Sequence, residues 1–257
     1  MVNFSVCIEM ILQELPFLDR IDSVAEIGYS AFEFWGWRTK DLEGILERKR
    51  RYGLEIATLS VDHKGKLVDY STIDKFISGL KESLEVANKL ECSTLLVTTG
   101  NEIPEVPRRR QHESIVKCLR KAAELAEKAD VTLALEPLNV LVDHKGYYLY
   151  SSREGFEIIK EVDSPNVKLL YDIYHQQIME GNLIDTITRN IDLIAHFHVA
   201  DVPGRHEPGT GEINYPNVFK AIDKTGYSGY VGLEFKPLTS SKEALRKVMK
   251  MAIPRDL

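Results

Sequence analysis

The chain has 257 residues, 44% hydrophobic and 28% charged, a balance that fills a sizeable core and excludes disordered and fibrous classes. Its 33 Lys and Arg against 39 Asp and Glu leave a net charge of −6, which argues against a nucleic-acid protein driven by phosphate neutralisation. No apolar run reaches the roughly 18 residues of a membrane helix, and Glu9, Glu14, Asp19 and Asp22 stand where a signal peptide would be uncharged, so a cytoplasmic protein with no membrane partner is expected.

In chain order, β-branched or apolar runs predict strands at Phe4–Ile8, Ala31–Trp35, Glu55–Ser60, Thr94–Thr98, Thr132–Glu136, Val167–Asp172, Leu193–Val199 and Tyr230–Glu234. Between them, apolar residues three and four apart predict helices such as Ile73–Leu90, Ser114–Ala129, Arg153–Val162 and Tyr215–Thr225. Gly28, Gly53 and Gly226 follow helical segments and precede strands, as helix stops should. Eight strand–helix units in 257 residues, with no linker or composition shift, fit one α/β domain over 1–257, a (β/α)8 TIM barrel. The alternative, a doubly wound open sheet, carries a glycine-rich phosphate turn after its first strand, and Ser5-Val6-Cys7-Ile8-Glu9-Met10 has no glycine. Cys7, Cys92 and Cys118 form no CxxC pair and read as buried free thiols.

In a parallel barrel the C-terminal strand ends converge on one face, where the active site belongs. Four consecutive strands end in a ligand-type side chain: Glu136, Asp172, His198 and Glu234, separated by 36, 26 and 36 residues, about one unit each. Any one alone reads as a surface carboxylate or a chance histidine. Four in register suit a divalent cation with mainly oxygen ligands, Mn²⁺ or Mg²⁺ first, with Co²⁺ or Zn²⁺ as alternatives. His196 shares the parity of His198 and should also face inward, either as a core histidine or as a hydrogen-bond partner of the site. His175, three residues past Asp172, is expected over the cavity as a substrate contact, against the alternative of a solvent-facing helix start.

The stretch from Ala200 to Glu212 is rich in Gly and Pro and reads as a functional loop or lid, with Arg205 as a bidentate contact to a substrate carboxylate or hydroxyl pair, against a solvated arginine. Gly209-Thr210-Gly211 lacks the third glycine of a dinucleotide fingerprint, so no nucleotide cofactor is expected. Glu33, His63 and His144 are further candidates to line the cavity, and Trp35 and Trp37 to wall it. Arg48-Lys49-Arg50-Arg51 and Arg108-Arg109-Arg110 read as solvated helix faces rather than phosphate sites.

Leu135-Glu136-Pro137-Leu138-Asn139, the run from Asp172-Ile173-Tyr174-His175 to Leu183, and Val202-Pro203-Gly204-Arg205-His206-Glu207-Pro208 closely resemble the hydroxypyruvate isomerase family, within the xylose isomerase-like superfamily of TIM barrels. The resemblance implies metal ligation by Glu136, Asp172, His198 and Glu234, with Glu136 and Glu234 also acting as the catalytic acid/base pair. It implies a small hydroxy-keto acid or ketose as substrate, and often a homodimer or homotetramer. Several members of that family carry Gln where this chain has His198, whereas related ketose 3-epimerases carry His. The epimerases in turn carry a substrate-binding glutamate at the position that is Val142 here. Hydroxypyruvate isomerisation to tartronate semialdehyde through an enediolate is the leading expectation, with ketose 3-epimerisation the alternative. Endonucleases of the same superfamily need a larger histidine cluster and a basic groove, and this chain has seven histidines and an acidic balance.

Overall fold

In the computed structural model, which describes residues 2–252, the predicted apolar runs pair in parallel in chain order and close on themselves. The strands are β1 (Asn3–Cys7), β2 (Ala31–Phe34), β3 (Glu55–Ser60), β4 (Thr94–Val97), β5 (Thr132–Leu135), β6 (Val167–Asp172), β7 (Ile194–Val199) and β8 (Tyr230–Leu233). Closure runs from Asn3 opposite Tyr230 to Val6 opposite Leu233. The described residues therefore form the expected TIM barrel. The expected boundaries, 1–257, extend beyond them, and residues 1 and 253–257 lie outside what is described.

Around the barrel lie α1 (Phe17–Ile27), α2 (Leu42–Tyr52), α3 (Ile73–Leu90), α4 (Arg108–Ala129), α5 (Ser152–Val162), α6 (Ile173–Met179), α7 (Leu183–Arg189), α8 (Tyr215–Lys224) and α9 (Ser241–Ala252). Their starts follow from local chemistry. The Asp41 and Ser151 side chains accept from the backbone N–H groups of Gly44 and Glu154, capping α2 and α5. Gly28 and Gly53 stop α1 and α2 in the left-handed conformation a glycine adopts freely. Helix α4 begins six residues before the expected Ser114, because its first turn follows Pro107 and is almost wholly polar, so apolar periodicity is silent there. No helix among the described residues is long and apolar enough to cross a membrane.

Two apolar layers hold the architecture. The larger lies between strands and helices, where Phe32, Phe34, Phe76, Phe197 and Phe235 are fully buried. The smaller fills the lower barrel with Leu96, Ala134 and Leu170, against Ala195. Side chains two apart on a strand share a face. Ala134 therefore places Glu136 inward one layer higher, Leu170 does the same for Asp172, and the register sets Asp172 opposite His198. These apolar side chains thus floor the polar mouth on the side of β4, β5 and β6.

Candidate active site

Glu136, Asp172, His198 and Glu234 each present one ligand-type atom such that all four atoms lie within 4.8 Å of one another, and all four residues are buried. The sequence predicts Glu136 and Glu234 inside the strands; they stand instead one residue past the ends of β5 and β8. Their backbones remain tied to the barrel: the Glu136 N–H donates to the Val97 carbonyl at 3.0 Å and the Glu234 N–H to the Val199 carbonyl at 3.1 Å. The Tyr147 hydroxyl donates to the Glu136 carbonyl at 3.0 Å and accepts from the Thr99 N–H at 2.8 Å, which locks the β5 end to its neighbour.

The carboxylates divide their oxygens between structure and site. Asp172 Oδ1 accepts from the N–H groups of Tyr174 at 2.8 Å and His175 at 3.2 Å and so caps α6, while Oδ2 lies 3.3 Å from His175 Nε2. Glu234 Oε1 accepts from the Trp35 indole N–H at 3.0 Å, and Oε2 meets Arg205 Nη2 at 2.5 Å. His198 Nδ1 faces Glu136 Oε1 at 3.2 Å and Glu234 Oε2 at 3.5 Å.

Three acids crowded in a dry cavity oppose ionisation. Burial pushes the Glu136 carboxyl up to about 7; His198 pulls it down, and the charges of Glu234 and Asp172 push it further up. Asp172 is also raised, first by burial, against the pull of Arg205 and His198. Burial works against a charged His198, yet Glu234, Glu33 and Glu136 together hold it well above the usual imidazole range. This is a donor set short of positive charge.

A divalent cation fits that shortfall. First-row metal–oxygen and metal–nitrogen bonds of roughly 2.0–2.2 Å place donors of one ion about 3–4.4 Å apart, and the spacing of these four side chains lies within reach of that after small rotations. The oxygen-rich set with a single imidazole favours the harder first-row ions.

The other expected contacts converge on the same mouth. His175 is fully buried rather than solvent-facing. Its Nδ1 accepts from the Asn139 backbone N–H at 3.2 Å and side-chain amide at 2.7 Å, which leaves Nε2 as the protonated nitrogen, a buried donor with no hydrogen-bond partner. Burial and the nearby Arg205 charge hold this imidazole well below its usual range, hence neutral. Arg205 is not solvated: it pairs with Glu234 and its guanidinium lies 5.1 Å from the Tyr174 ring centre.

Its loop is built for this. The Asp201 carboxylate accepts four backbone N–H groups, from Val202, Gly209, Thr210 and Ile213, at 2.8–3.1 Å. Arg205 itself sits at φ +59°, its N–H on the Asp201 carbonyl and its carbonyl accepting from Lys236. A side chain at position 211 would strike the Val202 carbonyl, so that turn requires glycine.

Among the remaining candidates, Glu33 and His196 join the site from below, with His196 Nε2 at 2.9 Å from Glu33 Oε2. His144 packs edge-on to His175 at 5.3 Å, and Trp35 reaches Glu234, but Trp37 donates to Ser83 at 3.2 Å and belongs to the outer packing. His63 is exposed on the loop after β3 and joins no site contact described here. The basic runs are spent on ion pairs, Lys49 and Arg50 with Glu91 and Arg108 with Glu154.

Sequence reasoning missed the support beneath His175. Asn139 Oδ1 accepts from the N–H groups of Val142 and Asp143, and Asp143 Oδ2 accepts from the Asn139 amide and the Tyr174 hydroxyl, both at 2.8 Å. The signal was an Asn three residues past a strand-end glutamate with an Asp four residues further on, an Asx-turn pattern.

A family model described as Xylose isomerase-like TIM barrel matches residues 21–252. Hydroxypyruvate isomerase of Escherichia coli (strain K12) is 32% identical over 253 residues, covering 96% of this chain and 98% of its own. A 2-oxo-tetronate isomerase of Cupriavidus necator is 31% identical over 252 residues, with coverage of 95% and 96%. Among solved structures, one described as AP endonuclease, family 2 from Brucella melitensis superposes with a TM-score of 0.93 at 28% identity, covering 97% of this chain and 99% of that one. D-Psicose 3-epimerase with D-tagatose from Clostridium cellulolyticum H10 gives 0.83 at 19% identity, with 98% of each chain covered, a likeness of fold.

Proposed function

Since the chain belongs to the xylose isomerase-like TIM-barrel family, we propose that it is a metal-dependent isomerase of small 2-oxo-3-hydroxy acids, with hydroxypyruvate and tartronate semialdehyde as the interconverting pair. The observation that carries this reading is the group of four buried ligand-type side chains on four consecutive strands, two of them glutamates that both face His198. Near-full-length similarity to enzymes named hydroxypyruvate isomerase and 2-oxo-tetronate isomerase supports the isomerase class, and those two names share a 2-oxo acid bearing a 3-hydroxyl.

Glu136, Asp172, His198 and Glu234 would hold the cation, which when bound polarises the substrate carbonyl and stabilises negative charge on its oxygens. One glutamate removes a proton from the hydroxymethyl carbon of hydroxypyruvate, giving an enediolate; a proton then returns to the adjacent carbon and the hydroxyl proton of the first carbon passes to the oxygen of the second, which leaves an aldehyde on the first and a hydroxyl on the second. Atoms balance without a redox partner. His175 Nε2–H and Arg205 are the donors available to substrate oxygens away from the reacting carbon.

His198 favours a second reading, ketose 3-epimerisation by the same pair of glutamates, since the sequence resemblance links a histidine at that position to the ketose 3-epimerases. The test is a turnover assay with added Mn²⁺, Mg²⁺ or Co²⁺ that compares hydroxypyruvate and 2-oxo-tetronate with fructose, tagatose, psicose and ribulose and identifies each product. Keto-acid isomerisation with little ketose turnover is expected. Ketose epimerisation without keto-acid turnover would establish the second reading instead.

A further inference from the structure

The four-ligand cluster rests on a buried polar group that it does not include. Glu33, on β2, is 1% exposed and extends across the barrel interior to β7. Its Oε2 accepts from the Ser5 hydroxyl at 2.8 Å and lies 2.9 Å from His196 Nε2; its Oε1 lies 3.0 Å from His198 Nε2. Glu33 Oε1 and His198 Nε2 are both buried and neither makes an aligned hydrogen bond to any group, so their 3.0 Å approach is an ion-pair contact.

The barrel is shaped to admit this reach. On β1 the neighbouring inward residue is the small hydroxyl donor Ser5, and on β8 it is Gly232, paired with both Ser5 and His198 in register. A methyl group at position 232 would collide with Glu33 Oε1, would lie 2.7 Å from Oε2 and would lie equally close to His198 Cδ2. A bare position on β8 is therefore what lets a carboxylate from β2 touch an imidazole from β7.

Resting on the metal-site reading above, we propose that Glu33 is the positioning residue of this centre: it holds His198 Nε2 so that Nδ1, and no other ring atom, faces Glu136 and Glu234. An imidazole can offer a lone pair at only one nitrogen when the other bears hydrogen, so a carboxylate at Nε2 fixes that hydrogen there and leaves Nδ1 as the ligand. It also stops rotation about the side chain. His196 is the second clamp, holding Glu33 at Oε2 as His198 holds it at Oε1.

The experiment is a double-mutant cycle read by calorimetric titration of Mn²⁺ into chelator-treated wild type, Glu33→Ala, His198→Ala, the double variant and Glu136→Gln. Glu33→Ala should weaken Mn²⁺ binding by about 10- to 100-fold, the range found when partners of metal-bound histidines are removed. Because Glu33 acts through His198, the double variant should bind no more weakly than His198→Ala alone. Wild-type affinity in Glu33→Ala, or effects that simply add, overturns the positioning role. Should Glu33→Ala lose its fold, Glu33→Gln, which keeps the volume and one acceptor, runs the same cycle, and Ser5→Ala should give a few-fold weakening through the lost hydroxyl. A wild type that takes up no Mn²⁺, or a Glu136→Gln variant that binds as wild type does, sinks the metal reading itself and is told apart from failure at Glu33 alone.

Discussion

The two halves of the barrel mouth differ in chemistry. Strands β5 to β8 carry Glu136, Asp172, His198 and Glu234 at or within one residue of their ends, all buried, whereas β1 to β4 lead into Ile8, Trp35, Val61 and Thr98, of which only Trp35 and Thr98 carry a polar atom beyond the backbone. Each buried charge costs several kcal/mol of lost hydration, so charges scattered around a barrel would each need separate compensation. Concentrated on adjacent strands, they can share one counter-charge. The apolar half supplies walls, and its single buried carboxylate, Glu33, is itself turned toward β7.

The contrast breaks most completely if the charged half loses either glutamate. Glu136→Gln and Glu234→Gln should each lower kcat by about 1,000-fold or more, combining the loss of a proton-transfer group with a weakened cation site, while circular dichroism shows the barrel intact. Near-normal turnover in either variant would remove the two-carboxylate mechanism. Comparable substitutions at the ends of β3 and β4 should leave kcat within a few-fold.

Withholding the proposed cation is the next largest step. Treatment with a chelator should abolish turnover and lower the Tm, because an ion bound only by the native state stabilises it, by about 2.7 kcal/mol at a free concentration 100 times its Kd. For a chain of this length that is roughly 5–10 °C, restored in a concentration-dependent way by Mn²⁺. In the chelated protein Glu136 sets a pH trend. Its folded pKa, about 7, exceeds the ordinary 4.5 of the unfolded chain, so as pH rises from about 4.5 to about 7 the unfolded state releases its proton first and stability falls. Glu136→Gln should flatten that part of the profile relative to wild type. Parallel denaturation curves for the two proteins across this window would place the burden of the crowded acids elsewhere.

How legible this contrast is in sequence depends on whether a residue speaks through periodicity or through reach. The four ligand-type side chains near the strand ends are spaced by the strand–helix repeat, so a barrel hypothesis and parity suffice to bring them together. His175 is legible for a similar reason, three residues past a capping aspartate. Glu33 is different. The sequence offers it as a candidate to line the cavity, but its partners His196 and His198 lie on β7, which a closed barrel brings within reach of β2 only across its interior. The vacancy that admits it is a glycine on yet another strand, and no local pattern marks Gly232 as more than a strand glycine. The early start of α4 was hidden because Arg108-Arg109-Arg110 offers charge where a helix predictor looks for apolar spacing. The basis of the Ala200–Glu212 loop was hidden in the same manner, since one buried carboxylate, Asp201, does the work of a small core.

Arg205 sharpens the comparison because it brings positive charge to the acidic half from a loop rather than from a strand. Arg205→Ala should lower kcat/KM by about 10- to 100-fold, the scale of a lost charge-assisted hydrogen bond, with KM rising more than kcat falls if the guanidinium meets substrate. A fall in kcat at unchanged KM would instead assign Arg205 to Glu234 alone, at 2.5 Å.

The smallest effect probes the one place where the apolar half touches the chemistry. Trp35 is 42% exposed, walls the mouth, and donates its indole N–H to Glu234 Oε1 at 3.0 Å. In Trp35→Phe the wall survives and the donor does not. One hydrogen bond donated by a half-exposed indole is worth on the order of 1 kcal/mol, hence about a five-fold loss in kcat/KM. A loss that small, with unchanged Mn²⁺ affinity, would mean that the apolar half orients Glu234 for proton transfer without helping to hold the cation. A parallel loss of Mn²⁺ affinity would mean that the indole fixes which oxygen of Glu234 turns toward the centre, and the division between wall and ligand would then run through Trp35 rather than between the halves.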